Sequence, residues 1–308
     1  MTLGDPGSIG PEIILKAFKK KLPRGKYILF GSARVLRFHS RKLKIALPKQ
    51  LQILDIDNVP DPYFGPKPEE SGRASIEYVD RAFDEFHKGN IDALVTGPIQ
   101  KESWHKAGFK YPGQTEYCAE KTGSTNFCML MAGKTFRIAI LSTHLPLADA
   151  IQRINAENIL KHLRLLKIEF QKFGFIDPRI GVAALNPHAG EAGILGNQED
   201  EVILPAIKQA RSEGIFVDGP VAPEVIFRVA AREKKWDVIL AMYHDQAMIP
   251  LKLLDFENSA NVTLGLPLIR TSPDHGTAFD IAGKGTANPG SMVYAIKLAA
   301  EWTKKNKK

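Results

Sequence analysis

The sequence predicts an α/β fold built around mainly parallel β-sheets. Short apolar runs alternate along the chain with longer segments in which apolar residues recur every three or four positions. Most of the short runs are apolar throughout, which is typical of strands that helices cover on both faces. Strands that alternate with helices of this length indicate parallel pairing, and 308 residues are enough to divide the structure between two lobes.

The elements follow from these two patterns. Strands are expected at 27–31, 51–56, 92–96, 127–132, 136–141, 179–185 and 236–242. Long helices are expected at 70–89, 155–174 and 197–214, and each of these segments ends in glycine, a common helix stop. Shorter helices are expected after the Gly-Pro turns at 4–12 and 96–101.

Composition excludes several classes of protein. The formal charge of +8 fits a lysine-rich surface or attraction of anionic small molecules, and the basic clusters lack the interleaved aromatic residues of a nucleic-acid platform. No apolar run approaches the roughly 20 residues of a membrane helix, and the first residues do not resemble a signal peptide. We therefore expect a cytoplasmic protein without nucleic-acid or membrane partners. Cys118 and Cys128 are expected to be packing residues rather than a disulfide.

Three histidines occupy equivalent positions in the predicted topology. His144, His188 and His244 each come within a few residues of the end of an apolar run. In open α/β sheets, ligands bind outside the carboxyl ends of the strands. Three imidazoles at one sheet edge could bind a metal and leave a position open for water or substrate, as in catalytic zinc sites. The alternative is that each is a hydrogen-bonded loop residue, and spacing alone does not decide between the two.

Two glycine-containing loops could bind an anion. Residues 4–12, GDPGSIGPE, place three glycines before a helix, and residues 96–101, TGPIQK, repeat the turn. Free backbone N–H groups at a helix start suit phosphate. Neither loop is a Walker A sequence and no G-x-G-x-x-G follows a strand. By geometry alone, tight turns are the better interpretation of both loops.

Seven motifs, taken in order, resemble one enzyme family. They are GDPGSIGPE, VTGPIQK, YPGQTEY, LSTHLPL, LNPHAGEAGILGNQE, YHDQAMIPLK and RTSPDHGTAFDIAGKGTANPGSM. Over nearly the whole chain they resemble the 4-hydroxythreonine-4-phosphate dehydrogenase family of pyridoxal phosphate (vitamin B6) biosynthesis. The last motif is also similar to the cofactor loop of isocitrate and isopropylmalate dehydrogenases, which share oxidative decarboxylation chemistry.

The resemblance implies a two-lobed α/β/α protomer of the isocitrate and isopropylmalate dehydrogenase type, not a Rossmann fold. It implies a homodimer whose active site lies in the cleft, near the subunit interface, and receives residues from both chains. The first lobe would comprise 1–113 plus 270–308 with the cofactor loop. The second, 114–269, would carry the metal and substrate residues and the dimer contact.

The resemblance also assigns residues. His144, His188 and His244 fall on the metal ligands, for zinc, magnesium, manganese or cobalt. The substrate-binding positions are Gln114, Thr115, Lys252, Asn261 and Arg270. The positions that bind NAD or NADP are His275, Gly276, Asp280 and Asn288. Lys252 and Asp245 are the candidate catalytic residues, with Asp245 either orienting His244 or accepting a proton.

The chain departs from the family pattern at two places. The family usually reads P-G-H-T-E where this chain has Gln114, and an amide can donate a hydrogen bond but cannot carry charge or shuttle a proton. Only Met1, Thr2 and Leu3 precede Gly4, so the strand expected there is short or the start site lies upstream.

The implied reaction is NAD-dependent oxidation and decarboxylation of 4-phosphooxy-L-threonine to 3-amino-2-oxopropyl phosphate, aided by a divalent metal. One alternative is a sister activity on threonate or erythronate 4-phosphate. A second is a three-histidine metal hydrolase or lyase without nicotinamide, and a third is a basic nucleic-acid-binding protein. Metal binding without NAD binding would favour the hydrolase or lyase. Salt-sensitive retention on DNA or RNA would favour the nucleic-acid-binding protein.

Overall fold

A computed structural model describes residues 1–306 and divides the chain into two compact units. The first unit combines Met1–Thr125 with Leu266–Lys304, and the second is Asn126–Gly265 together with residues 305 and 306. Residues 307 and 308, which the predicted first lobe included, lie outside the described part. Helices alternate with mostly parallel strands, so the predicted fold class is confirmed.

The described residues form helices and strands throughout both units. The helices are α1 Gly10–Ala17, α2 Ala33–Leu43, α3 Pro68–His87, α4 Lys101–Lys106, α5 Gln114–Lys121, α6 Leu147–Gln152, α7 Ala156–Lys172, α8 Leu204–Ser212, α9 Pro223–Glu233, α10 His244–Asp255 and α11 Gly290–Asn306. The strands are β1 Tyr27–Gly31, β2 Leu51–Asp55, β3 Ala93–Val95, β4 Cys128–Gly133, β5 Arg137–Ser142, β6 Ile180–Ala183, β7 Val217–Val221, β8 Val238–Tyr243, β9 Ser259–Leu264 and β10 Ile269–Pro273.

In the first unit, the N-terminal residues join two strand pairs. β1 pairs with β2 and β3 pairs with β10, both in parallel. Thr2 forms a parallel bridge with Phe30 of β1, and its backbone N–H donates to the carbonyl of Val95 in β3. Thr2 thus links the two strand pairs through a single bridge and one hydrogen bond.

In the second unit, the strand order is β9-β4-β5-β8-β6-β7. β4 runs antiparallel to both of its neighbours, and the remaining pairs are parallel. Apolar residues of the sheet pack against α9 and α10 in a cluster that includes Ile138, Ile239, Ile226 and Leu251, all buried. The parallel strands β5, β8 and β6 lie side by side, so their carboxyl ends share one edge.

The seven predicted strands and three predicted long helices are present, with boundaries shifted by at most two residues. The helix expected at 197–214 begins as a π-helical turn, Glu199–Ile203. Nine of the described helices and strands were not predicted: α2, α5, α6, α9, α10, α11, β7, β9 and β10. Gly219 and Pro220 interrupt β7, and α10 follows β8 directly with Pro250 inside it, so neither shows an uninterrupted pattern. None of the described helices is long and apolar enough to cross a membrane.

The division between the units falls after Thr125 and before Leu266, whereas the prediction placed it after residue 113 and before residue 270. Helix α5 accounts for the first difference. Its Tyr117 is buried against the rings of Trp104 and Phe109, with centroids 5.8 and 4.5 Å away. These aromatic contacts hold α5 in the first unit.

Candidate active site

Two histidines meet at the carboxyl ends of neighbouring parallel strands. Ser142 of β5 is in register with Tyr243 of β8, and His144 and His244 follow them within two residues. Their ring centroids are 5.7 Å apart. The strand-exit position that the sequence predicted for these two residues therefore brings their imidazoles together.

Helix α10 begins at His244, and its first turn explains the polar residues there. Asp245 Oδ1 lies 2.7 Å from His244 Nδ1. An acceptor at Nδ1 selects the tautomer in which Nε2 is available as a ligand. Gln246 is buried and bridges two strand ends: its Oε1 accepts from the Met242 N–H and its Nε2 donates to the Ala184 carbonyl, both at 2.7 Å.

His188 lies on the loop after β6, and its side chain faces Glu224 and not the other two histidines. Its Nδ1 is 2.7 Å from Glu224 Oε1, and its side chain is 67% exposed. The loop is held from below by buried Glu199, whose Oε1 accepts from the backbone N–H groups of Leu185 and Asn186, both at 2.8 Å. The structure thus fixes the base of this loop and leaves the imidazole at the surface.

The donor chemistry of the three histidines fits a divalent metal, and the positions fit in part. Within residues 1–306, no group of three or more His, Cys, Asp or Glu side chains is close enough to hold a metal ion. His144 and His244 are neighbours, whereas His188 pairs with Glu224. The three-histidine metal site therefore stays a prediction.

The other predicted residues of the second unit lie on α10 and β9. Asp245 and Lys252 are seven residues apart on α10 and so lie on the same face, about 10 Å apart along the axis. Lys252 therefore belongs to a helix that the sequence pattern did not predict. Asn261 lies in β9 opposite Met131, and its amide oxygen is buried without a hydrogen-bond partner among the described residues.

In the first unit, the predicted substrate residues form a buried network around Arg270. Its Nη2 donates to Gln114 Oε1 at 2.8 Å and to Thr96 Oγ1 at 2.7 Å, and Arg270 is only 2% exposed. Burial lowers the pKa of this guanidinium from its usual value, although a guanidinium remains protonated in proteins. Thr115 follows Gln114 in the first turn of α5 and is half-buried.

The predicted cofactor loop, residues 275–288, follows β10 and leads into α11. Asp280 is exposed in a short 3-10 turn, Phe279–Ile281. The side chain of Asn288 accepts from the N–H of Gly290 at 2.8 Å and so caps α11. His275 Nδ1 lies 3.1 Å from the carbonyl of the adjacent Gly276. Asp280 is thus presented to solvent, whereas Asn288 also has a structural role.

The GDPG loop is a tight turn and not a free anion site. The N–H of Gly7 donates to Asp5 Oδ1 and that of Gly10 to Ser8 Oγ, both at 2.9 Å. A Cβ on Gly7 would overlap the carbonyl oxygen of Gly65, which explains glycine there. The N–H groups of Gly7 and Gly10 are therefore used within the loop and are not free for an anion.

Comparison with known proteins agrees with the motifs. The profile of the family described as pyridoxal phosphate biosynthetic protein PdxA matches residues 15–299. The chain is 41% identical over 316 residues to the 4-hydroxythreonine-4-phosphate dehydrogenase of Sulfurihydrogenibium sp., covering 97% of this chain and 96% of the relative. The chain belongs to the PdxA family. The family resemblance predicted from the motifs is confirmed.

Two further PdxA-like proteins extend the comparison. A crystal structure of the 4-hydroxythreonine-4-phosphate dehydrogenase from Klebsiella pneumoniae is 34% identical, with a TM-score of 0.86 and coverage of 98% of both chains. A relative in Oceanobacillus iheyensis, provisionally named a D-threonate 4-phosphate dehydrogenase, is 38% identical over 320 residues, covering 98% of this chain and 96% of the relative. Both named activities are dehydrogenations of phosphorylated four-carbon acids.

Sequence reasoning missed several residues that shape this PdxA site. Glu199 and Gln246 hold the strand ends that carry His188 and His244, and Glu224 contacts His188. Glu199 and Gln246 both lie within the quoted motifs, but the motifs do not indicate that these side chains are buried and bind backbone groups. Nothing in the sequence marks Glu224, because its contact depends on how α9 packs.

Proposed function

We propose that this chain is a nicotinamide-dependent dehydrogenase that oxidises and decarboxylates 4-phosphooxy-L-threonine to 3-amino-2-oxopropyl phosphate in pyridoxal 5'-phosphate biosynthesis. The observation that carries the proposal is the pair of imidazoles, His144 and His244, at neighbouring strand ends in a member of the PdxA family. NAD is the proposed oxidant, with NADP as the second possibility.

The reaction has two stages whose atoms balance. Carbon 3 of the substrate loses a hydride to the nicotinamide and its hydroxyl loses a proton, which gives a 3-keto acid. The bond between carbons 1 and 2 then breaks, CO₂ leaves, and carbon 2 gains a proton. The sum is substrate plus NAD⁺ giving product, CO₂ and NADH.

His144, His188 and His244 are the proposed ligands of a divalent metal. When bound, such an ion would act as a Lewis acid that stabilises negative charge on substrate oxygen in both stages. Asp245 holds the ring of His244 through Nδ1 and leaves Nε2 for the ion. Neutral imidazoles add no negative charge to the site, so the full charge of the ion would act on the substrate.

Arg270 and Lys252 are the proposed cationic contacts of the substrate's phosphate and carboxylate. Two hydrogen bonds of Arg270 go to the neutral acceptors Gln114 and Thr96, which orient the guanidinium plane. A guanidinium fixed in this way can bind an anion in a bidentate manner. Thr115 and Asn261 are the proposed hydrogen-bonding contacts, and the unsatisfied amide oxygen of Asn261 supports this role.

The cofactor loop is proposed to bind the adenosine half of the nicotinamide cofactor through His275, Gly276, Asp280 and Asn288. Asp280 is exposed and carries a carboxylate suited to ribose hydroxyls. A carboxylate there would repel the 2'-phosphate of NADP, which favours NAD. Replacement of Asp280 by Ala should weaken NAD binding while metal content stays unchanged.

A second candidate substrate is D-threonate 4-phosphate, and Gln114 is the observation that favours testing it. The Gln114 amide faces Arg270, where the family motif usually has histidine. A neutral amide at this position changes the charge beside the bound substrate, whose 2-substituent is an amino group in one case and a hydroxyl in the other.

We also propose a homodimer that acts in the cytoplasm. The face of α10 that carries Asp245 and Lys252 also carries exposed apolar side chains: Ile249 is 61%, Leu253 79% and Phe256 65% exposed. Clusters of exposed apolar side chains mark interfaces. Covering this face with a second copy would bring the partner subunit close to the metal and substrate residues on α10.

The deciding assay follows NADH formation from 4-phosphooxy-L-threonine with each divalent metal, in parallel with D-threonate 4-phosphate. We expect turnover with the amino substrate, loss of activity after chelation, and its return on metal addition. Preference for threonate phosphate by kcat/KM would select the sister activity. Absence of NADH formation from either substrate in the metal-replete enzyme would overturn the proposed function.

A further inference from the structure

An ion pair on α1, between a buried acid and a partly exposed lysine, binds the cofactor loop directly. Glu12 is fully buried, and its Oε1 accepts from Lys16 Nζ at 2.8 Å and from the backbone N–H of Ala287 at 3.0 Å. Lys16 Nζ also donates to the carbonyl oxygens of Gly285 and Ala287, both at 2.7 Å. An ammonium has three donors, and here all three have an acceptor.

The start of α1 contacts the other end of the same loop. The backbone N–H of Ile9 donates to the carbonyl of Thr277 at 3.0 Å. Glu12 and Lys16 are one helical turn apart, with the acid nearer the N-terminus, which is the favourable orientation for such a pair. The loop is therefore attached to one short helix at positions 277, 285 and 287.

A charged pair is energetically unfavourable at this position unless it also fixes the conformation of the loop. Burying an acid and an amine costs desolvation, and an apolar pair of similar volume would often stabilise the fold as well. The ion pair, unlike an apolar pair, makes directional bonds to three backbone groups of residues 285 and 287. It thereby favours one loop conformation over others of similar packing.

We propose that Glu12 and Lys16 are positioning residues for the nicotinamide cofactor. They fix the backbone at 285–287 in the conformation that presents Asp280 and Asn288 to the adenosine half before the cofactor arrives. This inference rests on the proposed function, in which the loop binds NAD. Neither residue touches the cofactor, and both act on cofactor binding through the backbone of residues 285–287.

The test replaces Lys16 by Met, which keeps the chain length and removes the ammonium. The KM for NAD should rise about ten- to a hundredfold, because binding must then order the loop. The kcat at saturating NAD and the KM for the phosphorylated substrate should stay within about twofold. Glu12→Gln keeps an acceptor for the Ala287 N–H and should have a smaller effect, and Lys16→Arg should recover part of the NAD affinity.

Lys19→Met is the matched control, because Lys19 is exposed just after the same helix and should leave all constants unchanged. Hydrogen exchange of amides 279–288 without NAD should be faster in Lys16→Met than in either the control or the parent. An unchanged KM for NAD in a folded Lys16→Met protein overturns the inference, even if the enzyme turns over the phosphorylated substrate as proposed. Should that variant not fold, an unchanged KM in Glu12→Gln and Lys16→Arg overturns it instead.

Failure of the proposed function can be distinguished from failure of the positioning role. If the parent enzyme reduces no NAD with either phosphorylated substrate, titration with NAD and with ADP-ribose decides whether the loop binds the adenosine half. Weaker binding by Lys16→Met than by the parent supports the positioning role. Equal affinities, or no binding by the parent, overturn it.

Discussion

His144 and His188 share a backbone conformation that side chains rarely adopt. Their φ angles are +47° and +53°, in the left-handed region that favours glycine. Such residues persist only where the surrounding structure fixes them, and they cluster at functional sites. The sequence indicated where these histidines lie relative to the strands, but it could not indicate their backbone conformation. At His188 this conformation depends on a loop whose base Glu199 holds through Leu185 and Asn186.

Replacement of His244 by Ala tests the metal site at the level of one ligand. Bound metal should be lost, and turnover should fall at least about 100-fold, since even an outer partner of a metal ligand is worth about 10- to 100-fold. The melting temperature should change little, because the His244 side chain is 39% exposed. Elemental analysis after dialysis measures the metal. His105→Ala, an exposed histidine on α4, is the control, and retention of metal by His244→Ala would falsify the assignment.

The buried carboxyl of Asp5 should make the free energy of unfolding depend on pH. Burial raises the pKa of its carboxyl to about 6, although its Oδ1 accepts from Gly7, and its Oδ2 is buried without a hydrogen-bond partner among the described residues. A folded-state pKa above the unfolded value means that this group favours folding at low pH and that this advantage is lost as pH rises toward 6. Asp5→Asn keeps an acceptor for Gly7 and cannot ionise.

The free energy of unfolding of Asp5→Asn relative to the parent should therefore rise by about 2 kcal/mol between pH 4.5 and 7.5. Urea unfolding at both pH values measures this difference. A constant difference between the two proteins would mean that Asp5 titrates normally.

At the scale of elements, the sequence predicted seven strands from their apolar runs and three long amphipathic helices, and it missed elements such as β7 and α10, whose pattern is interrupted. The strand at 236–242 was evident from its unbroken apolar run, and β8 begins two residues later. Helix α10 was not, because its polar first turn is explained by contacts with other strands: Gln246 bonds to Met242 and to Ala184, which lies 62 residues away in sequence. Contacts at that separation leave no local periodicity.

Gln246→Ala tests this bridge between the ends of β8 and β6. Two buried backbone groups would lose their partner, so the free energy of unfolding should fall by about 2–4 kcal/mol. Metal affinity should fall too, because the first turn of α10 carries His244. Chemical unfolding and metal titration give the two values. Gln171→Ala, which removes an exposed hydrogen bond to Ile176, should stay within about 0.5 kcal/mol of the parent.

At the scale of the whole molecule, the proposed homodimer makes a prediction for the exposed face of α10. Leu253→Glu should shift the protein from dimer to monomer, because a carboxylate in an apolar interface must be desolvated without a partner. Light scattering after size exclusion measures the mass, and turnover should fall with it. Ile176→Glu, at a residue 85% exposed on the same unit, is the matched control. A parent that is already monomeric at micromolar concentration contradicts the proposed dimer.

The sequence singled out candidate site residues but not their contacts. The strand-end histidines, Arg270 and residues 275–288 stay predictions as functional groups, and no sequence pattern indicated the residues they bond to. Arg270 bonds to Thr96, 174 residues away, and Ala287 bonds to Glu12, 275 residues away. Such pairs depend on β3 lying beside β10 and on α1 lying under the loop, and a single sequence records neither.

The first unit is assembled from two segments that flank the second unit in the sequence, and this affects the order in which a ribosome synthesises its parts. Helix α1 is made before the second unit and the cofactor loop after it. The second unit can therefore fold while the first is incomplete, since domains fold as units during synthesis. Until residue 287 emerges, Glu12 and Lys16 lack the backbone groups they hold in the finished protein, and β3 lacks β10. A chain stopped before Leu266 would leave the first unit open and vulnerable to proteolysis.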